Sequence, residues 1–161
     1  MTKHTKPIPD GYHTVTPSIT VNDAAGALAF YAKAFGAEEL MRMAGPGGKI
    51  MHAEFKVGNS HIMMQDEMPE MRSKSAKNYG GSPVSFYVYV ADVDAAWQRA
   101  TSAGAKTVMP VEDMFWGDRM GAVQDPYGLT WTIAQRTRDV SPEELKKGQE
   151  AFAQRMQHAT N

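Results

Sequence analysis

The chain has 161 residues, of which 42% are hydrophobic and 22% charged, as is typical of one compact globular unit. Its 17 basic and 18 acidic residues give a formal net charge of −1, so nothing in the charge balance favours a nucleic-acid or membrane partner. The lack of cysteine excludes disulfides, thiolate metal sites and a cysteine nucleophile, and no stretch approaches the ~20 apolar residues of a membrane span.

The first 66 residues predict a tail and one βαβββ unit. Residues 1–12 are polar and lack the apolar segment of a signal peptide, so we expect a flexible tail and a cytoplasmic protein. Residues 14–21 alternate between apolar and polar side chains, which is typical of a strand with one buried face. Asn22 or Asp23 is a suitable N-cap for a helix ending at Gly36. Strand-like segments follow at 38–43, 51–57 and 60–66, so the unit spans residues 13–66.

The second half repeats this order. Residues 67–82 are polar and predict a linker, after which Val90 repeats the pattern of Val21 sixty-nine positions further on. Repetition on this scale indicates two copies of one unit, and the second copy spans residues 83–136. Residues 137–161 contain a capping box, Ser-Pro-Glu-Glu at 141–144, and predict a C-terminal helix. Its thin apolar edge could dock on the chain's own sheet or on a second subunit; the edge comprises Leu145, Phe152 and Met156.

The strands combine an apolar face with a mixed polar face. We expect the two helices to cover the apolar faces, and the polar faces to line a concavity that holds a small ligand. The sequence therefore predicts an α+β fold in which two tandem βαβββ modules form a curved mixed sheet around a cleft, with a helix added at the C-terminus.

Two motifs make the sequence similar to a known family. They are Ala-x-x-Phe-Tyr-x-x-Ala-Phe-Gly-Ala at residues 27–37 and Asp-Pro-Tyr-Gly at residues 125–128. Together with the repeated unit, they resemble the vicinal oxygen chelate superfamily of glyoxalases, bleomycin-resistance proteins and extradiol dioxygenases, over about residues 13–135. Further segments, such as His-Ala-Glu at 52–54 and Phe-Trp-Gly-Asp-Arg at 115–119, resemble an uncharacterised bacterial glyoxalase-like branch. Members of the superfamily often pair modules between two chains, so the resemblance implies a homodimer.

The resemblance also implies where a metal would bind. Members that use a metal take His or Glu ligands from the first and last strands of each module. The matching positions in this chain are Thr16, Met63 (Met64 if the register shifts by one), Ser85 and Thr132. Thr, Ser and Met are not customary ligands of Zn²⁺, Ni²⁺ or Fe²⁺. We therefore expect no metal cofactor, and these four positions become candidates for ligand contacts instead.

His52 and Glu54 are the best candidates for chemistry, because a His-x-Glu pair on a strand places both side chains on one face. With His61 across the hairpin, they have the donor types of a two-His, one-carboxylate metal site. Without a metal, Glu54 could orient His52 as a general base. The third alternative is a hydrogen-bonded pair that only stabilises neighbouring strands.

The segment 115–119 is the strongest signal for binding. Phe115 and Trp116 could stack on a planar ligand while Arg119 pairs with its carboxylate or phosphate. Alternatively, Asp118 and Arg119 pair with each other and the aromatic side chains cover a sheet edge. Tyr87 shares a strand face with Tyr89 and could offer its hydroxyl to a ligand.

Two classes of function remain open. In the first, which we favour, the protein binds a small organic molecule in its cleft without the family metal. In the second, it is a lyase, isomerase or dioxygenase that uses a non-standard metal site or the acid–base pair of His52 and Glu54.

Overall fold

The computed structural model describes residues 6–159 and confirms an α+β fold of two βαβββ modules and a C-terminal helix. The first module consists of β1 (Ser18–Val21), α1 (Ala24–Phe35), β2 (Glu38–Ala44), β3 (Ile50–Val57) and β4 (Ser60–Asp66). The second consists of β5 (Ser85–Tyr89), α2 (Val93–Ser102), β6 (Lys106–Asp113), β7 (Asp118–Gln124) and β8 (Thr130–Arg136). The last element is α3 (Pro142–Ala159).

Each module forms its own four-stranded sheet, so the curved sheet is divided in two. The strand orders are β1-β4-β3-β2 and β5-β8-β7-β6. In both sheets the first strand pairs in parallel with the last, and the other neighbours are antiparallel. The first strand of each module therefore lies at a sheet edge.

The two modules start their helices in the same way. Asp23 and Asp92 are the N-caps of α1 and α2, and each carboxylate accepts a backbone N–H from the first turn. In each module, a side chain near the end of the last strand also accepts an N–H from the start of that module's helix. Asp66 accepts the N–H of Ala24 at 2.8 Å, and Gln135 accepts the N–H of Val93 at 3.2 Å.

Both helices pack into one shared core. Tyr31 of α1 stacks on Phe55 of the first sheet, with ring centroids 5.3 Å apart. Phe35 of α1 stacks on Trp131 of the second sheet, with centroids 4.4 Å apart. Because the apolar faces of both sheets turn toward this core, their polar faces point away from it. We call these polar faces the first open face and the second open face.

The segment between the modules is folded rather than extended. It contains two short 3₁₀ turns, Pro69–Met71 and Ala76–Tyr79. The Glu67 carboxylate accepts the backbone N–H of Ser75 at 3.1 Å and the side-chain amide of Asn78 at 2.6 Å. Hydrogen bonding to the Ser75 backbone, followed by that to Asn78, lowers the pKa of Glu67. The predicted linker thus contains short helical turns joined by internal hydrogen bonds.

The C-terminal helix begins with the predicted capping box and docks on its own chain. The N–H of Glu144 donates to the Ser141 hydroxyl at 3.2 Å, and the N–H of Ser141 donates to the Glu144 carboxylate at 2.9 Å. Phe152 contacts Phe115, with centroids 5.9 Å apart. Within residues 6–159, α3 and the other helices lack the combination of length and hydropathy needed to cross a bilayer.

Gly148 controls how closely α3 approaches the loop before β7. A Cβ added to Gly148 would lie 2.7 Å from Phe115 Cβ, which is closer than packed carbon atoms allow. We expect Gly148→Ala to destabilise the protein by ~1–2 kcal/mol, because overpacking outweighs the helix propensity gained. In a Phe115→Gly background, which removes the Phe115 Cβ as well as the ring, the same substitution should instead stabilise the protein by up to ~1 kcal/mol. Urea unfolding of the four proteins measures both values, and stabilisation by Gly148→Ala in both backgrounds would contradict the contact.

Candidate functional site

Glu54 lies at the centre of the first open face. The register of the sheet places it between Met41 of β2 and Met63 of β4. Its strand neighbour on the same face, His52, lies beside Met43. A carboxylate and an imidazole are therefore surrounded by unbranched thioether side chains, which adapt to ligands of different shape. The predicted residues His52, Glu54 and Met63 are brought together here.

Two side chains hydrogen-bond to the Glu54 carboxylate. His52 Nε2 lies 3.0 Å from Glu54 Oε1, and the Tyr12 hydroxyl donates to Glu54 Oε2. The hydrogen bond with His52, followed by that from Tyr12, lowers the pKa of Glu54. The same bond holds the proton on Tyr12 and raises the pKa of its phenol to about 12. Near neutral pH the cluster thus combines an ionised carboxylate with a neutral phenol.

Tyr12 comes from the segment predicted to be a flexible tail. Its ring stacks on His61 with centroids 4.4 Å apart, and His61 Nδ1 hydrogen-bonds to the carbonyl of Gly11. Residues 11 and 12 therefore lie against the first open face. Sequence reasoning missed Tyr12, because a single aromatic residue in a polar segment carries no periodic signal.

Among residues 6–159, the donor groups do not match the metal site that the family resemblance implies. His61 is engaged by Gly11 and Tyr12 instead of joining His52 and Glu54, and no group of three His, Asp or Glu side chains within residues 6–159 could hold a metal ion. At the positions implied by the family resemblance, Met63 lies beside Ser18, and the Thr16 hydroxyl donates to the His13 carbonyl at 3.3 Å. Hydroxyl and thioether groups are poor ligands for the metals of this superfamily.

The second open face carries a different carboxylate. Asp118 is 3% exposed, and its Oδ2 accepts the hydroxyls of Tyr87 at 3.2 Å and Tyr89 at 3.0 Å. Burial, followed by the nearby Asp118 charge, raises the pKa of Tyr87 to about 12. Thr132 lies beside Tyr87 and Ser85 lies two positions before it, so these three predicted residues share this face. Sequence reasoning considered Asp118 only as a partner for Arg119 and missed its contact with the tyrosines.

The loop 115–119 has its side chains in different places. Arg119 points to the helix side of the second sheet and pairs with Asp94 at 2.8 Å and Asp113 at 3.3 Å. Phe115 contacts Trp116 and the C-terminal helix. Neither Phe115 nor Arg119 is paired with the tyrosine cluster, and Arg119 does not pair with Asp118. Ligand binding by Phe115, Trp116 and Arg119 stays a prediction.

Comparisons with known proteins agree with this architecture. A family model described as the Glyoxalase/Bleomycin resistance protein/Dioxygenase superfamily matches residues 12–133. An uncharacterized protein of Mycobacterium bovis is 43% identical over 135 residues, which cover 82% of this chain and 89% of that protein.

Solved structures show the same fold. TioX from Micromonospora sp. ML1 is 26% identical, with a TM-score of 0.61 and coverage of 80% of this chain and 100% of TioX. The Arabidopsis thaliana gene product At5g48480 is 28% identical, with a TM-score of 0.62 and coverage of 76% and 98%. The chain therefore belongs to the glyoxalase/bleomycin resistance protein/dioxygenase superfamily, as the matched family model, the M. bovis relative and the duplicated βαβββ unit together show.

Proposed function

We propose that this protein binds a small organic molecule on its first open face without using a metal ion. The observation that carries the proposal is the position of Glu54, which lies between Met41 and Met63 and is held by His52 and Tyr12. Ligand sites combine an apolar lining with a few fixed polar groups, and this face has both. The ligand would place an apolar body on the methionines and a hydrogen-bond donor at the carboxylate.

A second copy of the chain would complete the site. Ligand pockets bury most of their ligand, whereas Met41 and Met43 are 39% and 51% exposed in the single chain. In the proposed homodimer, the second open face of the partner, with Tyr87, Tyr89 and Thr132, supplies the missing wall. Light scattering during size exclusion should then give about twice the 17.7 kDa mass of the chain. We place this dimer in the cytoplasm.

A fragment screen tests the binding proposal. Small organic molecules are screened by ligand-observed NMR against the wild type, and each hit is titrated against Glu54→Gln. We expect Glu54→Gln to weaken hits about ten-fold, because a charge-assisted hydrogen bond is lost. Glu150→Gln on the exposed surface of α3 makes the same charge change and should leave the affinity unchanged.

Two further comparisons bear on the same proposal. If hits bind Glu54→Gln as tightly as the wild type, their binding site lies elsewhere, which would contradict the proposal. Stoichiometric, stabilising binding of Zn²⁺, Ni²⁺ or Fe²⁺ in thermal unfolding would contradict metal-free binding. Titration of Trp116→Ala with the same hits tests the predicted role of the aromatic loop.

An acid–base enzyme is the second candidate, favoured by the 3.0 Å contact between His52 Nε2 and Glu54 Oε1. A carboxylate at this distance can orient an imidazole as a general base for a lyase or isomerase. The hits are incubated with the protein in D₂O, and exchange at carbon acids beside a carbonyl is followed by NMR. Exchange that is lost in His52→Gln supports an enzyme, whereas ligands recovered without exchange support binding alone.

A further inference from the structure

An apolar cavity of about 630 Å³ lies between the two modules, beside the edge strand β5 of the second sheet. Its walls include Phe35 from α1 and two residues of the second sheet, Phe86 and Trp131. Trp131 stacks on both phenylalanines, with ring centroids 4.4 Å apart in each pair. The volume is within the range of sites that hold small organic ligands. Among the residues singled out from the sequence, Thr16, His61 and Tyr87 border it, whereas His52 and Glu54 do not.

The polar groups of this cavity favour an anion. None of its lining residues is Asp or Glu, although the chain contains 18 of them. Its lining instead includes Arg99 and two histidines, His13 and His61. Apolar walls with a cationic group and no acidic side chain are complementary to a molecule with an apolar body and one negative charge.

Arg99 has donors to spare for such a charge. Its Nε donates to the carbonyl of Ala34 at 3.1 Å, which fixes the start of the guanidinium group. Within residues 6–159, no carboxylate lies within ion-pair distance of Arg99, whereas Arg42, Arg119, Arg136 and Arg138 each pair with at least one. The two terminal nitrogens of Arg99 therefore have no acidic partner, and their planar arrangement matches a carboxylate.

We infer that this cavity binds an apolar monocarboxylate. The hydrocarbon or aromatic part of the ligand packs on Phe86 and Trp131, and its carboxylate pairs with Arg99. The cavity borders the first open face at His61 but includes neither His52 nor Glu54, so the inference goes beyond the proposed function and does not depend on it.

A series of eight-carbon probes with different head groups tests the inference. Octanoate, 1-octanol and octylammonium are titrated into the ¹⁵N-labelled full chain and followed by chemical-shift changes. We expect octanoate to bind at least ten-fold more tightly than octylammonium, with the largest shifts at residues 86–91 and 131–133. Arg99→Gln should weaken octanoate about ten-fold and leave 1-octanol unchanged, because only the charged contact is removed.

Three control variants locate the bound probe and isolate the role of the guanidinium charge. Arg155→Gln removes the same charge from α3 and should bind octanoate as the wild type does. Val88→Phe adds a ring inside the cavity and should abolish binding of both octanoate and 1-octanol. Glu54→Gln should leave octanoate binding unchanged, which separates this site from the one on the first open face.

Several results would overturn the inference. They are equal binding of octanoate to Arg99→Gln and the wild type, equal binding of octanoate and octylammonium, or loss of octanoate binding in Glu54→Gln. A further result would also overturn it: octanoate does not bind, and sedimentation shows that Val88→Phe dissociates a dimer. In that case a second copy of the chain occupies the cavity. Comparing the binding of octanoate, 1-octanol and octylammonium to the wild type tests the inference even if a variant does not fold.

Discussion

Replacing Asp125 with Asn is expected to lower the free energy of unfolding by about 3 kcal/mol, because it places a donor where four donors already converge. Oδ1 of Asp125 accepts the backbone N–H groups of Tyr127 and Leu129, both at 2.9 Å. Oδ2 accepts the hydroxyl of Tyr31 at 2.8 Å and the indole N–H of Trp131 at 2.9 Å. Asp125 is 4% exposed, so water cannot replace a lost acceptor.

The asparagine cannot satisfy this arrangement in either orientation. Its amide offers one oxygen and one NH₂ group, and the NH₂ group would face two N–H donors or a hydroxyl and an indole N–H. Urea unfolding followed by tryptophan fluorescence measures the loss. Tyr31→Phe removes only one of the four donors and should cost about 1 kcal/mol, while Asp139→Asn on the surface should cost less than ~0.5 kcal/mol. A cost for Asp125→Asn no larger than that for Tyr31→Phe would mean that the carboxylate is not the hub of these contacts.

The contacts of Asp125 also explain why the two modules share one core. Tyr31 belongs to α1 of the first module, whereas Asp125 and Trp131 belong to the second. Burial, followed by the Asp125 charge, raises the pKa of Tyr31, so its hydroxyl remains a donor across the stable pH range. The polar link and the aromatic stacking around it hold α1 against both sheets.

Local signals in the sequence were enough to predict the architecture. Alternation and the repeat located both modules, and the capping box at Ser141 located the start of α3. The sequence does not choose between Asn22 and Asp23 as the cap of α1, and the structure uses Asp23. These features depend on residues close in sequence, which is why they can be recognised from the chain alone.

The site depends on contacts that the sequence does not encode locally. Tyr12 and Glu54 are 42 positions apart, and nothing in the polar tail marks the tyrosine as a partner. The packing of α1 on Trp131 joins residues more than twice as far apart, because Phe35 belongs to the first module and Trp131 to the second. One signal was present but was not used: Asp118 and Arg119 are neighbours in a strand, so their side chains must point to opposite faces. That alternation places Asp118 with the tyrosines and Arg119 with α2.

The repeat itself supplies the second large prediction, which concerns Asp66. Its two carboxylate oxygens accept the N–H groups of Ala24 at 2.8 Å and Ile50 at 2.7 Å, and the residue is 6% exposed. Gln135 holds the corresponding place in the second module but accepts one N–H, that of Val93 at 3.2 Å. Asp66 therefore joins the start of α1 to the start of β3, whereas Gln135 serves only the start of α2.

We expect Asp66→Asn to cost about 2–3 kcal/mol, because its NH₂ group must face one of two buried N–H donors. Gln135→Ala removes one longer contact from a half-buried position and should cost about 1 kcal/mol or less. Urea unfolding of both variants gives the comparison, and amide hydrogen exchange at Ala24, Ile50 and Val93 assigns each loss to its own helix or strand. Equal costs for the two variants would mean that the two duplicated positions stabilise the fold equally. That result would contradict the expectation drawn from their different numbers of hydrogen bonds. The expected asymmetry would show that the two copies retained one scaffold while their stabilising contacts diverged.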